Sequence, residues 1–146
     1  MNLLIQTFYE GAFARSCAVW DIISIFAELN DFDMKVLITG TSQGIGKAVA
    51  ELFLEKGHSV VGIDRQGSAI DQDNYMHYVC DVRDWVSLPE VTDVDVLINN
   101  AGTQNEDDID INLKAVLYIT EKYGIQPKIR SILTIGSASA HTGAEF

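Results

Sequence analysis

The residues best suited to chemistry in this chain are the glycines of one short turn. The sequence Thr39-Gly40-Thr41-Ser42-Gln43-Gly44-Ile45-Gly46 follows an apolar run and opens a helical pattern. The first glycine permits a tight turn, the second removes a Cβ that would collide with a pyrophosphate, and the third lets helix and strand pack. Free N–H groups at the helix start attract the anion. The turn predicts a phosphate cradle, although a turn that only redirects the chain could carry the same glycines.

An acidic residue stands where a ribose-binding carboxylate is expected. Asp64 ends the next apolar run, and its distance from Gly46 is close to the roughly 20 residues of the dinucleotide pattern. A carboxylate there accepts the ribose hydroxyls of NAD and repels the 2′-phosphate of NADP. Arg65 could attract that phosphate instead, and a solvated strand end is the third interpretation. The acidic residue favours NAD, with NADP the less favoured cofactor.

Two further motifs make the chain similar to a known family. Asn99-Asn100-Ala101-Gly102 follows a later apolar run, and Ser137 closely follows the run Ser131–Ile135. Together with the Thr-Gly-x-x-x-Gly-Ile-Gly turn, they resemble the short-chain dehydrogenase/reductase superfamily from Met34 to the end of the sequence. The resemblance implies alcohol and ketone interconversion with a nicotinamide cofactor.

The resemblance also implies roles for individual residues. Ser137 matches the catalytic serine that polarises the substrate oxygen, and Asn112 matches the helical asparagine of the proton relay. Taken alone, a serine after a strand is a turn former, and Asn112 is a polar residue on an amphipathic helix. Asp81 and Val82 would lie against the adenine ring. The full set expected to bind the cofactor is Gly40, Ser42, Gln43, Gly44, Ile45, Gly46, Asp64, Arg65, Asp81, Val82, Asn99, Ala101 and Gly102.

The family's catalytic tyrosine and lysine have no match after Ser137. In the family they follow the serine by a dozen or so positions, four residues apart, and the tyrosine exchanges the proton at the substrate oxygen. Tyr118 and Lys122 have that spacing but precede the serine, so we interpret them as neighbours on one helix face. The sequence therefore predicts an oxidoreductase portion that is inactive alone; the alternative is a non-catalytic dinucleotide-binding or interaction module.

The elements that must position these residues alternate along the chain. Strands are predicted at Met34–Thr39, His58–Asp64, Met76–Val82, Val94–Asn99 and Ser131–Ile135, and helices at Gly44–Gly57 and Asp108–Tyr123. This alternation favours an α/β fold, a three-layer Rossmann-like doubly wound parallel sheet that stops after the fifth strand. The segment between Asp64 and Tyr75 is too short for a full helix, which predicts a loop or single turn. Residues 34–146 form the predicted NAD(P)-binding domain, which is incomplete. Residues 1–33 are either an added amphipathic helix or upstream sequence that the natural protein lacks, and we favour a dispensable extension.

Composition and charge limit the partners. The 146 residues carry a net charge of −11, which opposes binding to nucleic acid or to anionic membranes. Charged residues interrupt each N-terminal apolar stretch, which argues against a transmembrane helix. A secretory signal begins with basic residues, and the first basic residue here is Arg15, so secretion is not expected. Cys17 and Cys80 fit no metal pattern, and His141 with Glu145 lacks further ligands, so no metal is expected. We expect a cytoplasmic protein that acts on a small alcohol or carbonyl compound; a homo-oligomer is left open.

Overall fold

The computed structural model describes residues 7–8 and 33–136. In chain order the elements are β1 (Thr7–Phe8), β2 (Lys35–Thr39), α1 (Gly44–Glu55), β3 (Ser59–Asp64), β4 (Tyr75–Val79), β5 (Val96–Asn99), a π-helix (Ile109–Ala115), α2 (Val116–Tyr123) and β6 (Ser131–Ile135). All paired strands run parallel, in the order β1-β6-β5-β2-β3-β4. The predicted parallel α/β fold is confirmed.

The parallel sheet is the middle of three layers, and β2 lies inside the sheet between β5 and β3. Val36, Leu37 and Ile38 are all fully buried, as expected for a parallel strand that is covered on both faces. Because successive side chains point to opposite faces, Val36 and Ile38 pack in the core cluster that contains α1. Leu37 packs in the second cluster, against the π-helix and α2.

Both helical layers present apolar side chains at helical spacing. In α1 the buried residues include Val49, Ala50 and Phe53. On the other face they recur every fourth position from Ile111, through the π-helix into α2, and end at Tyr123. The Tyr123 hydroxyl donates to the Pro89 carbonyl oxygen at 2.6 Å, and burial raises the pKa of this phenol. The hydrogen bond ties the end of α2 to the segment that precedes β5.

The connection from β3 to β4 contains no helix, as the sequence predicted. Residues 65–74 form bends and a turn, and Asn74 donates from its side-chain amide to the His58 carbonyl oxygen at 2.6 Å. Ile70 packs against the cluster beneath α1. A short connection keeps β4 next to β3 and leaves the end of β3 accessible.

The edge strand β1 comes from the segment that the sequence placed outside the domain. Thr7 pairs with Thr134 and Phe8 with Ile135, so this short strand extends the sheet beyond β6. Two residues carry too little pattern for sequence analysis to identify a strand, and β6 supplies the pairing partner. The predictions that the extension is helical and dispensable concern residues 1–6 and 9–32, which lie outside the described residues. Cys17 lies outside them as well. None of the helices in the described ranges is long and apolar enough to cross a membrane.

Candidate functional site

An open cleft of about 260 Å³ lies at the carboxyl ends of the central strands. It spans the point where the strand order reverses, between β2, which continues to β3, and β5. Open α/β sheets bind ligands at such a switch point. Of the residues predicted to bind the cofactor, those that line the cleft are Gly40, Gln43, Gly44, Ile45, Asp64, Arg65, Asp81, Val82, Ala101 and Gly102.

The glycine turn has the geometry that a phosphate cradle needs. Gly40 and Gly44 have positive φ angles of 77° and 61°, where other residues are strained. A Cβ on Gly44 would meet no atom within 4 Å, so this glycine keeps the cleft open beside the backbone. Among the described residues no side chain caps the start of α1, which leaves its first N–H groups available for an anion. The turn therefore fits a pyrophosphate.

Gly46 serves packing instead and does not line the cleft. A Cβ at this position would lie 2.1 Å from the Gly40 carbonyl oxygen and 2.3 Å from Nδ2 of Asn100. Hence α1 can approach the turn only where the side chain is a hydrogen atom. The predicted role of Gly46 in packing helix against strand agrees with this geometry.

Asn100, which the sequence analysis did not select, fastens the turn to β5. Its Nδ2 donates to the carbonyl oxygens of Thr39 and Gly40 at 2.9 and 3.0 Å, and it lines the cleft. The selected Asn99 lies elsewhere: it is 2% exposed and donates to Thr120 Oγ1 at 3.1 Å. Asn99 ends β5 and points toward α2, so the next residue faces the turn. Alternation along β5 indicates that the two asparagines face opposite sides of the sheet, but not which of them faces the turn.

Thr39 is the acceptor on the other side of this junction. Its Oγ1 accepts hydrogen bonds from the backbone N–H groups of Asn100 and Ala101, both at 3.0 Å, and the residue is 2% exposed. Two backbone donors thus depend on one hydroxyl. The arrangement holds the ends of β2 and β5 together directly beneath the cleft.

We predict that Thr39→Val destabilises this junction although valine has nearly the same shape. Loss of Oγ1 leaves two backbone N–H groups without their acceptor, and we expect a loss of about 2 kcal/mol in the free energy of unfolding. Thr39→Ser keeps the acceptor and removes one methyl group, for an expected loss of about 1 kcal/mol or less. Urea denaturation of both variants measures the difference. Equal losses would show that the hydroxyl contributes nothing.

The Asp64 carboxylate is held at the rim of the cleft by two backbone donors. Its Oδ2 accepts from the Ser42 N–H and its Oδ1 from the Gln66 N–H, each at 2.9 Å. Ser42 therefore acts on the carboxylate and does not line the cleft itself. Each carboxylate oxygen keeps a further lone pair for a ligand. Arg65 also lines the cleft, so both side chains that the sequence left in competition are present there.

At the far end of the cleft, Asp81 is fixed by Arg83. Two hydrogen bonds from the guanidinium, at 2.7 and 3.0 Å, hold the pKa of the Asp81 carboxyl below its usual value. Arg83 also contacts Asp107 at 3.1 Å. Val82, next in sequence, is only 7% exposed and offers an apolar surface to the cleft. Asp81 and Val82 thus provide the polar group and the apolar surface that the predicted adenine position requires.

Asn112 lies on the π-helix, close to the cleft. Its Oδ1 accepts from the Thr103 N–H at 2.9 Å and its Nδ2 donates to the Thr103 carbonyl oxygen at 2.7 Å. The sequence predicted one continuous α-helix over Asp108–Tyr123, but the structure begins with π-helical geometry and changes to α at Val116. Such bulges are frequent at functional sites. Asn112 fixes the loop that includes Thr103, which lines the cleft.

The remaining candidate residues either contact side chains away from the cleft or lie outside the described residues. Tyr118 stacks on Trp85 with ring centroids 5.0 Å apart, and Lys122 pairs with Glu90, so neither contributes to the cleft. Ser137, His141 and Glu145 lie outside the described residues. Cys80 is half-buried, and burial raises the pKa of its thiol. Within residues 7–8 and 33–136, no group of three His, Cys, Asp or Glu side chains could hold a metal ion.

Comparison with known families agrees with this geometry. The family described as short chain dehydrogenase matches residues 34–143, which include the glycine turn, Asp64 and the Asn-Asn-Ala-Gly motif. The chain belongs to the short-chain dehydrogenase family. The predicted resemblance is thus confirmed, and residues 1–33 lie outside the match.

Individual members of the family show the same relationship. A 3-oxoacyl-[acyl-carrier-protein] reductase of Buchnera aphidicola is 30% identical over 135 residues, which covers 73% of this chain and 55% of that protein. An NADP-dependent 3-hydroxy acid dehydrogenase of Salmonella typhi is 29% identical, with coverage of 73% and 55%. A short chain dehydrogenase of Leptospira borgpetersenii, solved with bound NAD+, superimposes with a TM-score of 0.67 at 20% identity and covers 81% of this chain and 57% of that one. The chain spans about half the length of the curated relatives it matches.

Proposed function

We propose that this short-chain dehydrogenase chain is the NAD(H)-binding portion of an oxidoreductase that interconverts an alcohol and a carbonyl compound. The observation that carries the proposal is the Asp64 carboxylate, held at the cleft rim by the N–H groups of Ser42 and Gln66. Family membership supports binding of NAD or NADP. The fixed carboxylate favours NAD because it accepts ribose hydroxyls and repels a 2′-phosphate.

Each part of the cofactor has residues suited to it. The pyrophosphate would lie on the backbone of Gly44 and Ile45 at the start of α1, and the adenosine ribose on Asp64. The adenine would lie against Asp81 and Val82, both of which line the cleft. When bound, NADH supplies the hydride that reduces a carbonyl carbon.

The catalytic assignment rests on the family motifs. Ser137 would donate a hydrogen bond to the substrate oxygen, and Asn112 would hold the loop that includes Thr103 in place. Hydride transfer to a carbonyl also needs a proton at the oxygen, and the family's tyrosine with its lysine has no counterpart after Ser137 in these 146 residues. The 146-residue chain by itself is therefore expected to bind NADH without turnover.

Calorimetric titration of the folded chain with NADH and NADPH tests the cofactor assignment. We expect NADH to bind more tightly, because Asp64 opposes the 2′-phosphate. A folded sample that binds neither dinucleotide would refute the proposal, and tighter NADPH binding would overturn the preference for NAD. Circular dichroism of the same sample establishes that it is folded.

A second candidate is a dinucleotide-binding module that performs no turnover in any context. It requires of the chain only the described cleft, whose lining residues suit a dinucleotide. Activity toward a panel of small carbonyl compounds, measured by NADH absorbance, separates the candidates once the chain is joined to a C-terminal segment that supplies a Tyr-x-x-x-Lys motif. Turnover that depends on Ser137 supports the oxidoreductase.

We further propose that the protein is found in a reducing cytoplasm. The free thiol of Cys80 supports this compartment.

A further inference from the structure

A chain of hydrogen bonds connects the glycine turn to the loop after β3. The Tyr75 hydroxyl lies 2.9 Å from Thr41 Oγ1 and 2.8 Å from Nδ1 of His77. Nε2 of His77 lies 2.8 Å from the Gln66 carbonyl oxygen, which also accepts from the Ser42 hydroxyl at 3.0 Å. The chain thus begins beside one wall of the cleft and ends at a residue that lines the cleft.

The two central groups of this hydrogen-bond chain, Tyr75 and His77, each have partners on both sides. A carbonyl oxygen can only accept, so Nε2 of His77 carries the proton toward Gln66. The Tyr75 hydroxyl donates to Thr41 Oγ1, and its oxygen lies within hydrogen-bond distance of Nδ1 of His77. The linked groups together fix the position of Gln66, the last member of the hydrogen-bond chain.

Gly62 provides the space in which this chain forms. A Cβ on Gly62 would lie 2.2 Å from the Tyr75 hydroxyl and 2.4 Å from Thr41 Oγ1. Glycine weakens a strand interior and marks a close approach of another group. The group that approaches here is the hydroxyl of Tyr75, from the neighbouring strand β4. This glycine gives a reason, independent of the hydrogen bonds, to assign the Tyr75 hydroxyl a specific place.

Gln66, the last member of this hydrogen-bond chain, in turn orients the Asp64 carboxylate. The carbonyl oxygen of Gln66 is held by His77 and Ser42, and its N–H donates to Oδ1 of Asp64. The Ser42 N–H holds the other carboxylate oxygen. Displacement of Gln66 would therefore remove one of the two donors that orient the carboxylate.

We propose that Tyr75 and His77 are positioning residues that set the cofactor preference through Gln66 and Asp64. This inference rests on the proposed NAD(H) function. With Gln66 fixed, the Asp64 carboxylate is held where the adenosine ribose would lie. With Gln66 released, the carboxylate can turn away and Arg65, at the same rim, can reach a 2′-phosphate. Discrimination against NADPH thus depends on a hydroxyl and an imidazole behind the cleft.

The first test removes the Tyr75 hydroxyl and keeps its ring. For Tyr75→Phe we expect the ratio of the Kd for NADPH to the Kd for NADH to fall about tenfold, by calorimetric titration. Tyr78→Phe is the matched control, because Tyr78 is on the same strand and packs against the other core cluster. It should keep the wild-type ratio. An unchanged ratio in Tyr75→Phe, or an equal fall in both variants, would overturn the proposal.

The second test replaces His77 in two ways. His77→Leu removes the donor to Gln66 and should lower the ratio, whereas His77→Gln offers an amide N–H at a similar distance and should recover most of it. If His77 had only a structural role, the thermal midpoints of the wild type, His77→Leu and His77→Gln would rank in the same order as their ratios of the Kd for NADPH to the Kd for NADH. Recovery of the ratio without recovery of the midpoint supports positioning; failure of glutamine to recover any preference contradicts it.

A double-mutant cycle shows whether Tyr75 acts through Asp64. In the Asp64→Asn background, Tyr75→Phe should leave the ratio nearly unchanged, because the charge that it positions is gone. Additive effects would show that Tyr75 acts by another route and would overturn the inference. The proposed function fails separately, in the wild type: a folded wild-type chain that binds neither dinucleotide refutes both proposals, whereas a preference that persists in the variants refutes only this one.

Discussion

Gly46→Ala is expected to lower the affinity for NADH by about 100-fold or more, equivalent to about 2.7 kcal/mol. The added Cβ would lie 2.1 Å from the Gly40 carbonyl oxygen, a backbone atom that cannot rotate away. It would also meet Nδ2 of Asn100 at 2.3 Å, the atom that fastens the turn to β5. The turn must move away from α1, and the N–H groups that would receive the pyrophosphate lose their arrangement. Calorimetric titration with NADH measures the loss.

Gly67→Ala is the matched control for this prediction. Gly67 lies in the loop after β3, and a Cβ there would meet no atom within 4 Å. It should bind NADH like the wild type, and circular dichroism should show both variants folded. Near-normal binding by a folded Gly46→Ala variant would mean that the turn tolerates the displacement, and that its geometry is not what binds the cofactor.

Asp64→Asn is expected to reverse or abolish the preference for NADH. The amide keeps the shape of the side chain but removes the charge that repels the 2′-phosphate, and it weakens the hydrogen bonds from ribose hydroxyls. Hydrogen bonds to charged groups contribute about 1.5 to 3 kcal/mol, so we expect NADH binding to weaken about tenfold or more. NADPH binding should strengthen, helped by Arg65. Paired titrations of the two dinucleotides give the change in their ratio.

The control for Asp64→Asn must change the net charge equally. Asp71→Asn does so at an exposed position of the same connection between β3 and β4. If both variants shift the ratio alike, the preference comes from the overall charge of the protein and not from the carboxylate at the rim. Titrations at higher ionic strength separate these cases further, because salt screens distant charges more than a contact at the site.

The sequence was sufficient for the central sheet and the main features of the site. Buried parallel strands consist of apolar runs, so Lys35–Thr39 and Ser131–Ile135 could be located closely from hydrophobicity alone. The short connection after Asp64 excluded a helix by length. The glycine turn was equally readable, because close backbone approach and positive φ angles restrict the residue type at fixed positions.

The sequence alone could not determine how neighbouring residues divide their roles. Asn99 and Asn100 are identical in type, and only the orientation of the end of β5 directs the first toward Thr120 and the second toward the turn. The π-helix at Asn112 has the apolar spacing of an α-helix, so the pattern could not distinguish them. These outcomes depend on contacts between segments far apart in the chain.

Tertiary structure alone also decided the edge strand and the network behind Asp64. Thr7–Phe8 becomes a strand because β6 offers an unpaired edge, and a pair of residues has no periodicity of its own. In the sequence, nothing distinguishes Tyr75 and His77 from ordinary strand residues. Only in the fold does Gly62, on the neighbouring strand, leave room for the Tyr75 hydroxyl that connects them to Thr41. Residue types and spacings thus determined that the chain has a dinucleotide fold, whereas the pairing of distant strands determined which groups orient Asp64.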